Sequence, residues 1–163
     1  MQIRIANVDD ATAAATLLRR SIVELCNVDH RDDAEIIAAW TANKTPENFC
    51  KWIAADHVLV AVEIDGLLHG LLGVAAMTAT GDLTLNYVSP DAQFRGVSKA
   101  LLAALETHAS GMGINCIRLT STTTAHRFYL AAGYEDAGPP DKGFSSMLGF
   151  PMAKTLRDRS TRP

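Results

Sequence analysis

Cysteine is scarce: the 163 residues hold three, Cys26, Cys50 and Cys116, and none belongs to a C-x-x-C pair. An odd, scattered set beside apolar neighbours excludes a disulfide framework and points to reduced thiols, which makes the cytoplasm the expected compartment. Long hydrophobic runs are lacking as well. No uninterrupted stretch reaches the roughly 20 apolar residues of a membrane span. Met1–Ala6 is too short for a secretory signal and is soon followed by Asp9 and Asp10, so no membrane partner is expected. Positive charge is also thin. A net charge of -3 leaves no long-range attraction for nucleic acid or anionic lipid. The only basic run, Arg157, Arg159 and Arg162, reads as a solvated polar tail over 157–163. Two phosphate-binding signatures are missing, G-x-x-x-x-G-K-[ST] and G-x-G-x-x-G, which excludes a P-loop and a dinucleotide fingerprint. Neither an internal repeat nor an interdomain linker is found.

What is present is the balance of a globular domain: 48% hydrophobic and 20% charged residues. A chain this long buries roughly two thirds of its unfolded surface and needs no disulfide or metal staple. One domain is expected over 1–156. Residues 2–6 alternate like an edge strand, and Asp9 or Asp10 is placed to cap a helix running to about Cys26. Asp32 or Asp33 caps a second helix ending near Trp40, and Thr45-Pro46-Glu47 starts a third to about Ala54. Val58–Ile64 and Leu67–Met77 read as a hairpin turning at Asp65-Gly66, and Leu83–Val88 as the next strand, ended by Pro90. A helix follows from Phe94 to about Gly111, then a strand at 114–119. Thr122–Ala132 is a helix stopped by Gly133, and strands are expected at 134–136 and at 147–156. The fold class is α/β (α+β): a mixed, mostly antiparallel sheet flanked by helices. The loop 138–150 is long for such a domain and is expected to border a binding site.

The most informative stretch runs from Asn86 to Leu102, where an apolar strand ends and feeds into a helix through Gly96. The first N–H groups of a helix have no intrahelical partner, and the helix dipole adds positive potential there, so such a junction holds an anion. Gly96 alone is better explained as relief for a tight turn. Gln93, Arg95, Ser98 and Lys99 crowd the same junction with donors, which favours the anion site over that reading.

Gln93-x-x-Gly96-x-Ser98 resembles the Q/R-x-x-G-x-G/A motif of the GNAT N-acetyltransferases. Downstream, Thr122-x-x-Ala125-x-x-Phe128-Tyr129-x-x-x-Gly133-Tyr134 resembles that family's N-x-x-A-x-x-F-Y-x-x-x-G-F/Y segment. The resemblance is close over 83–136 and extends to the rest in element order. It implies a GNAT-like fold, acetyl-CoA as acyl donor, and transfer of the acetyl group to a primary amine: a small molecule, an amino acid or a peptide N-terminus. Carried over position by position, Gln93, Phe94, Arg95, Gly96, Val97, Ser98, Lys99 and Ala100 would bind the pyrophosphate. Ser98 stands where the family has Gly or Ala. Thr122 replaces the Asn that bonds the pantetheine arm, so a hydroxyl would make that contact. The backbone N–H of Val88 would polarise the thioester carbonyl, and Tyr129 would protonate the departing thiolate. Family members often pair through their sheets or C-terminal segments, which makes a homodimer the default assembly.

The general base is not supplied by the strand. Residues 83–88 include no Glu, and only Asp82 stands at the strand's start, which points to a relay through water and to an amine of depressed pKa. Asn86, on the same face as Val88 by alternation, either orients substrate or water or is a satisfied buried amide. Cys26, Asp29, His30, Asp32 and Asp33 are close enough in sequence to raise a metal site, but helix capping and solvation explain them better. The rival reading of the whole chain is a non-catalytic acyl-CoA-binding or sensing domain. The missing strand carboxylate supports it, and Tyr129 speaks against it.

Overall fold

A computed structural model describes residues 1–64 and 70–156. The expected turn at Asp65-Gly66, the start of the strand placed at Leu67 and the tail 157–163 lie outside these residues. Strand β1 (Gln2–Ile5) leads into a 3-10 turn and helix α1 (Ala11–Leu25). The expected cap by Asp9 or Asp10 is corrected: Asn7 opens the turn, its side chain accepting from Asp9 N at 2.9 Å. Asp10 reaches back to Asn7 N at 2.9 Å and takes a forked pair from Arg4 at 2.7 and 2.8 Å. The Arg4 hydrogen bond holds the Asp10 carboxyl below its ordinary range. Three helices follow: α2 (Asn27–His30), α3 (Ala34–Thr41) capped by Asp33, and α4 (Pro46–Ala55) capped by Thr45 with proline at its start.

Strands β2 (His57–Val62), β3 (Leu71–Met77) and β4 (Leu83–Val88) continue the sheet in the order β1-β2-β3-β4, every pair antiparallel. Both faces of this half are covered, so its central strands carry near-continuous apolar runs. Leu59, Ala61, Ala75 and Met77 face a core with Leu101 and Leu105, whereas Val58, Val60, Val74 and Leu85 face α1 and Phe49 of α4. Helix α5 (Val97–Gly111), strand β5 (Cys116–Ser121), helix α6 (Thr123–Ala131) and strands β6 (Glu135–Asp136), β7 (Asp141–Lys142) and β8 (Leu148–Thr155) complete the chain. β8 pairs antiparallel with β5, β6 and β7.

The helix expected from Phe94 begins three residues later, at Val97, because Phe94 (φ 61°) and Gly96 (φ 77°) are left-handed and cannot lie inside a right-handed helix. The two halves of the sheet meet at one parallel bridge, Asp82 with Arg118, where the Arg118 N–H donates to Gly81 O at 2.9 Å. Beyond it the ladder stops. Thr84 is the extra residue of a bulge in β4: Met77 pairs with Leu83 and Ala76 with Leu85. Such a bulge bends its strand and raises its twist.

Gly73 of β3 lies opposite Val88 and directly beneath α5. A Cβ there would stand 2.7 Å from Val97 Cγ1, 2.8 Å from Leu101 Cδ1 and 3.0 Å from Tyr87 O. Gly73→Ala should therefore lift α5 and lower stability by about 1–3 kcal/mol, the usual penalty of overpacking. A thermal melt reads this as a Tm lowered by several degrees, and an unchanged Tm would contradict so close a seat.

Candidate active site

Between the parting ends of β4 and β5 lies a cleft of about 490 Å³, closed by the start of α5 and by α6. A wider, open groove of about 1130 Å³ between α5 and β8 collects none of the predicted site residues. The sequence between β4 and α5 explains the donor-rich end of the cleft. Ser89 and Pro90 form a 3-10 turn, and Phe94 and Gly96 then reverse the chain through left-handed conformations. No side chain caps α5, unlike α3, α4 and α6. Its first intrahelical bond is Ala100 N–H to Gly96 O at 3.0 Å. The amides of Val97, Ser98 and Lys99 are thus without an intrahelical partner, whereas the Ala100 amide is already engaged. Where a Gly96 Cβ would be, no atom comes within 4 Å.

The predicted cradle residues do not all turn the same way. Gln93, Phe94, Gly96, Val97, Ser98 and Lys99 line the cleft. Phe94 is 94% exposed at its rim. Arg95 turns outward to Glu63 at 2.6 Å and lies off the cleft wall, as does Ala100. Lys99 has no carboxylate partner among the described residues, which leaves it as the positive side chain of this wall.

Val88 ends β4 with its backbone turned to the cleft. The Ser89 N–H donates to Leu72 O at 2.8 Å, so by antiparallel alternation Gly73 and Val88 are a non-hydrogen-bonded pair. The Val88 N–H therefore points away from β3, to the side where no ladder reaches it. Asn86, two residues earlier, presents its side chain on the α5 and α6 face, while Leu85 and Tyr87 face α1. Its Oδ1 is buried with no hydrogen-bond partner among the described residues.

Tyr129 on α6 is 5% exposed, held edge-on by Phe128 and Tyr134 at ring centroid distances of 5.1 and 5.5 Å. Burial pushes its phenol up to about 12, and hydrogen bonding from the Asn86 side chain pulls in the opposite direction. Thr122 caps α6, its Oγ1 accepting from Ala125 N at 3.2 Å. That leaves the hydroxyl hydrogen for another acceptor in the cleft.

The far wall comes from Ser21 and Leu25 of α1, from Cys26 just past its end, and from Tyr87, which packs in a cluster with Ile22, Trp40 and Met147. The expected loop 138–150 is corrected: it carries β7, β8 begins at Leu148, and none of its described residues lines the cleft. Burial pushes the Cys26 thiol up to about 12, which makes it an inert wall residue. Asp82 is not in the cleft. It pairs with Arg118 at 3.0 Å and accepts from Thr80 at 2.8 Å, and the Arg118 bond holds its carboxyl low. No Asp or Glu lines the cleft among the described residues.

Sequence reasoning missed one connection. Asp29, read as a capping residue, does cap a helix, but a distant one: its carboxylate accepts from Thr123 N at 2.7 Å, Thr124 N at 3.2 Å and Thr124 Oγ1. No local signal marks a contact between residues 94 and 95 positions apart. The other members of that cluster are engaged as well. His30 is fully buried between Ile22 O and the Asp32 N–H, and Asp33 caps α3.

With this geometry in place, the comparisons with known proteins are direct. The acetyltransferase (GNAT) domain pattern matches residues 27–156. Among solved structures, a GCN5-related N-acetyltransferase from Rhodopseudomonas palustris superposes with a TM-score of 0.83 at 23% identity, covering 95% of each chain. PaiA N-acetyltransferase from Thermoplasma acidophilum, solved with coenzyme A, gives 0.75 at 19%, covering 95% of this chain and 99% of that one. The ribosomal-protein-S18-alanine N-acetyltransferase of Escherichia coli gives 0.69 at 16%, covering 99% and 97%. No curated protein sequence matches the chain. The chain belongs to the GNAT family. It is an N-acetyltransferase, and its acyl donor is acetyl-CoA.

All three tyrosines of the chain, Tyr87, Tyr129 and Tyr134, are raised by burial. At about pH 10, where a free phenol is half ionised, the tyrosinate absorbance of the folded protein should still be near its baseline. An inflection there would contradict the burial described.

Proposed function

We propose that this chain acetylates a primary amine of low basicity, such as an amino acid, a peptide N-terminus or a small aromatic amine, by direct attack on the thioester of acetyl-CoA. The observation that carries the reading is the convergence on one cleft of the uncapped start of α5, the outward N–H of Val88 and the Tyr129 hydroxyl. The residues present fit the donor: unpartnered amides and Lys99 suit a diphosphate, and the open space over Gly96 lets it approach. Acetyl-CoA supplies an acetyl group already activated as a thioester.

In this reading the amides of Val97, Ser98 and Lys99 hold the diphosphate, with the Lys99 ammonium adding charge. The Thr122 hydroxyl donates to the pantetheine arm. Val88 N–H donates to the thioester oxygen as it gains negative charge, a preorganised contact of the kind worth a few kcal/mol. The amine nitrogen forms the new C–N bond as the C–S bond breaks, Tyr129 gives its proton to the sulfur, and the proton lost from the nitrogen passes through water to the tyrosinate, which restores the phenol. Burial keeps that phenol protonated through the neutral range, so the proton is in place when the thiolate forms. Asn86 shares the cleft wall with Tyr129 and offsets part of the effect of burial on its phenol.

The acceptor class follows from charge. With no carboxylate on the cleft wall, an ammonium ion finds no counter-charge and no direct base, so the amine must arrive neutral. An amine of pKa near 8 is neutral in roughly a tenth of molecules at pH 7, whereas a lysine side chain near 10.4 is neutral in fewer than about one in a thousand. The apolar wall of Leu25, Cys26 and Tyr87 suits an acceptor without a second positive charge.

Tyr129→Phe should lower kcat by about 10²–10⁴-fold while coenzyme A affinity, measured by calorimetry, stays within about twofold. Thiol release at neutral pH across a series of amines should rise as amine pKa falls. Coenzyme A binding without turnover of any amine would instead establish the sensing-domain reading.

A further inference from the structure

We propose that Asp29 is a positioning residue for catalysis: by gripping the N-terminus of α6 from α2, it fixes the Tyr129 hydroxyl against the acceptor wall formed by α1. The inference rests on the reading of Tyr129 as the proton donor. α6 is nine residues long, too short to hold its place by its own hydrogen bonds. Thr122 already caps it in the local way, through Ala125 N. The three bonds from Asp29 go beyond what starting the helix requires. They complete the first-turn amides, since Thr123 N, Thr124 N and Ala125 N all have acceptors, and they do so from α2, the element that follows the α1 side of the cleft.

The grip is rigid because α2 is itself locked. The His30 ring is wholly buried, its Nε2 on Ile22 O at 3.1 Å and its Nδ1 accepting from Asp32 N at 3.0 Å. The left-handed Arg31 and Asp32 end α2 at once, and Asp33 N–H returns to His30 O at 2.9 Å. Asp29 is 9% exposed, and a carboxylate this buried is retained only where its oxygens are satisfied; here the donors are two amides, a hydroxyl and the positive end of the α6 dipole. α2 follows directly on Cys26, which with Ser21 and Leu25 lines the acceptor side of the cleft. One carboxylate therefore ties α2, which continues directly from that wall, to the helix that carries Tyr129, and sets the gap between wall and helix.

The test is a double-mutant cycle on the full-length enzyme, with Asp29→Asn, Tyr129→Phe and the pair, measuring kcat, KM for acetyl-CoA, coenzyme A affinity and Tm. Asp29→Asn replaces one oxygen acceptor with an amide that confronts the α6 donors. It should lower kcat at least about tenfold, as misplacement of a reacting group does, with KM for acetyl-CoA within about twofold. In the Tyr129→Phe background the same substitution should leave kcat unchanged. Thr124→Val, which removes only the hydroxyl bond, serves if Asp29→Asn does not fold. Its smaller kcat loss should likewise vanish without Tyr129. An equal loss with and without Tyr129, no loss, or a loss confined to coenzyme A binding would overturn the proposal. Tyr129→Phe that leaves kcat intact would instead overturn the proton-donor reading on which it stands.

Discussion

Pairing between β4 and β5 stops after a single bridge, Asp82 with Arg118, and the rest of the site depends on that interruption. Had the parallel ladder continued, the backbone groups on the outer side of β4 would have been spent on β5. Because it does not, the Val88 N–H is turned into open space and the start of α5 borders the same opening. Unpaired backbone donors inside a fold are normally rare. Here they are gathered at one place, next to a glycine with nothing above it, which is what a ligand carrying phosphates and a carbonyl requires.

The electrostatic pattern around the cleft is one of local neutralisation. Arg20 pairs with Asp91 and Glu24, Arg95 with Glu63, and Arg118 with Asp82, all near the surface. These exposed pairs contribute little stability. Their effect is on what the cleft does not contain: the carboxylates that flank it are engaged elsewhere, and the wall of Leu25, Cys26 and Tyr87 is apolar and aromatic.

Much of this was legible in the chain itself. Thr45-Pro46, Asp33, Thr122 and Gly133 mark helix ends by local chemistry, and local chemistry is what a sequence displays. Gly96 and its donor-rich neighbours marked the strand-to-helix junction at the head of α5 for the same reason. The misreadings had two causes. Phe94 has the look of a helical residue, and only the left-handed turn on either side of Arg95 excludes it from α5. Asp10 resembled a cap, but Arg4, six residues earlier on a different element, claimed its carboxylate. The direction of the Val88 N–H needed the register against β3 and the bulge at Thr84, and the reach of Asp29 to α6 needed the tertiary fold. Such contacts leave no periodicity for a reader of residues to find.

Gly73 joins two parts of the site that are separate in the chain. It is the register partner of Val88 and the floor on which Val97 and Leu101 rest. The spacing between the first amides of α5 and the Val88 N–H is thereby set where the Val97 and Leu101 side chains rest on the bare backbone of β3, and it behaves as a fixed ruler. On the proposed reading, a thioester on a truncated thiol would engage this ruler at one end only, which would make the length of the donor's arm a criterion of selection in its own right.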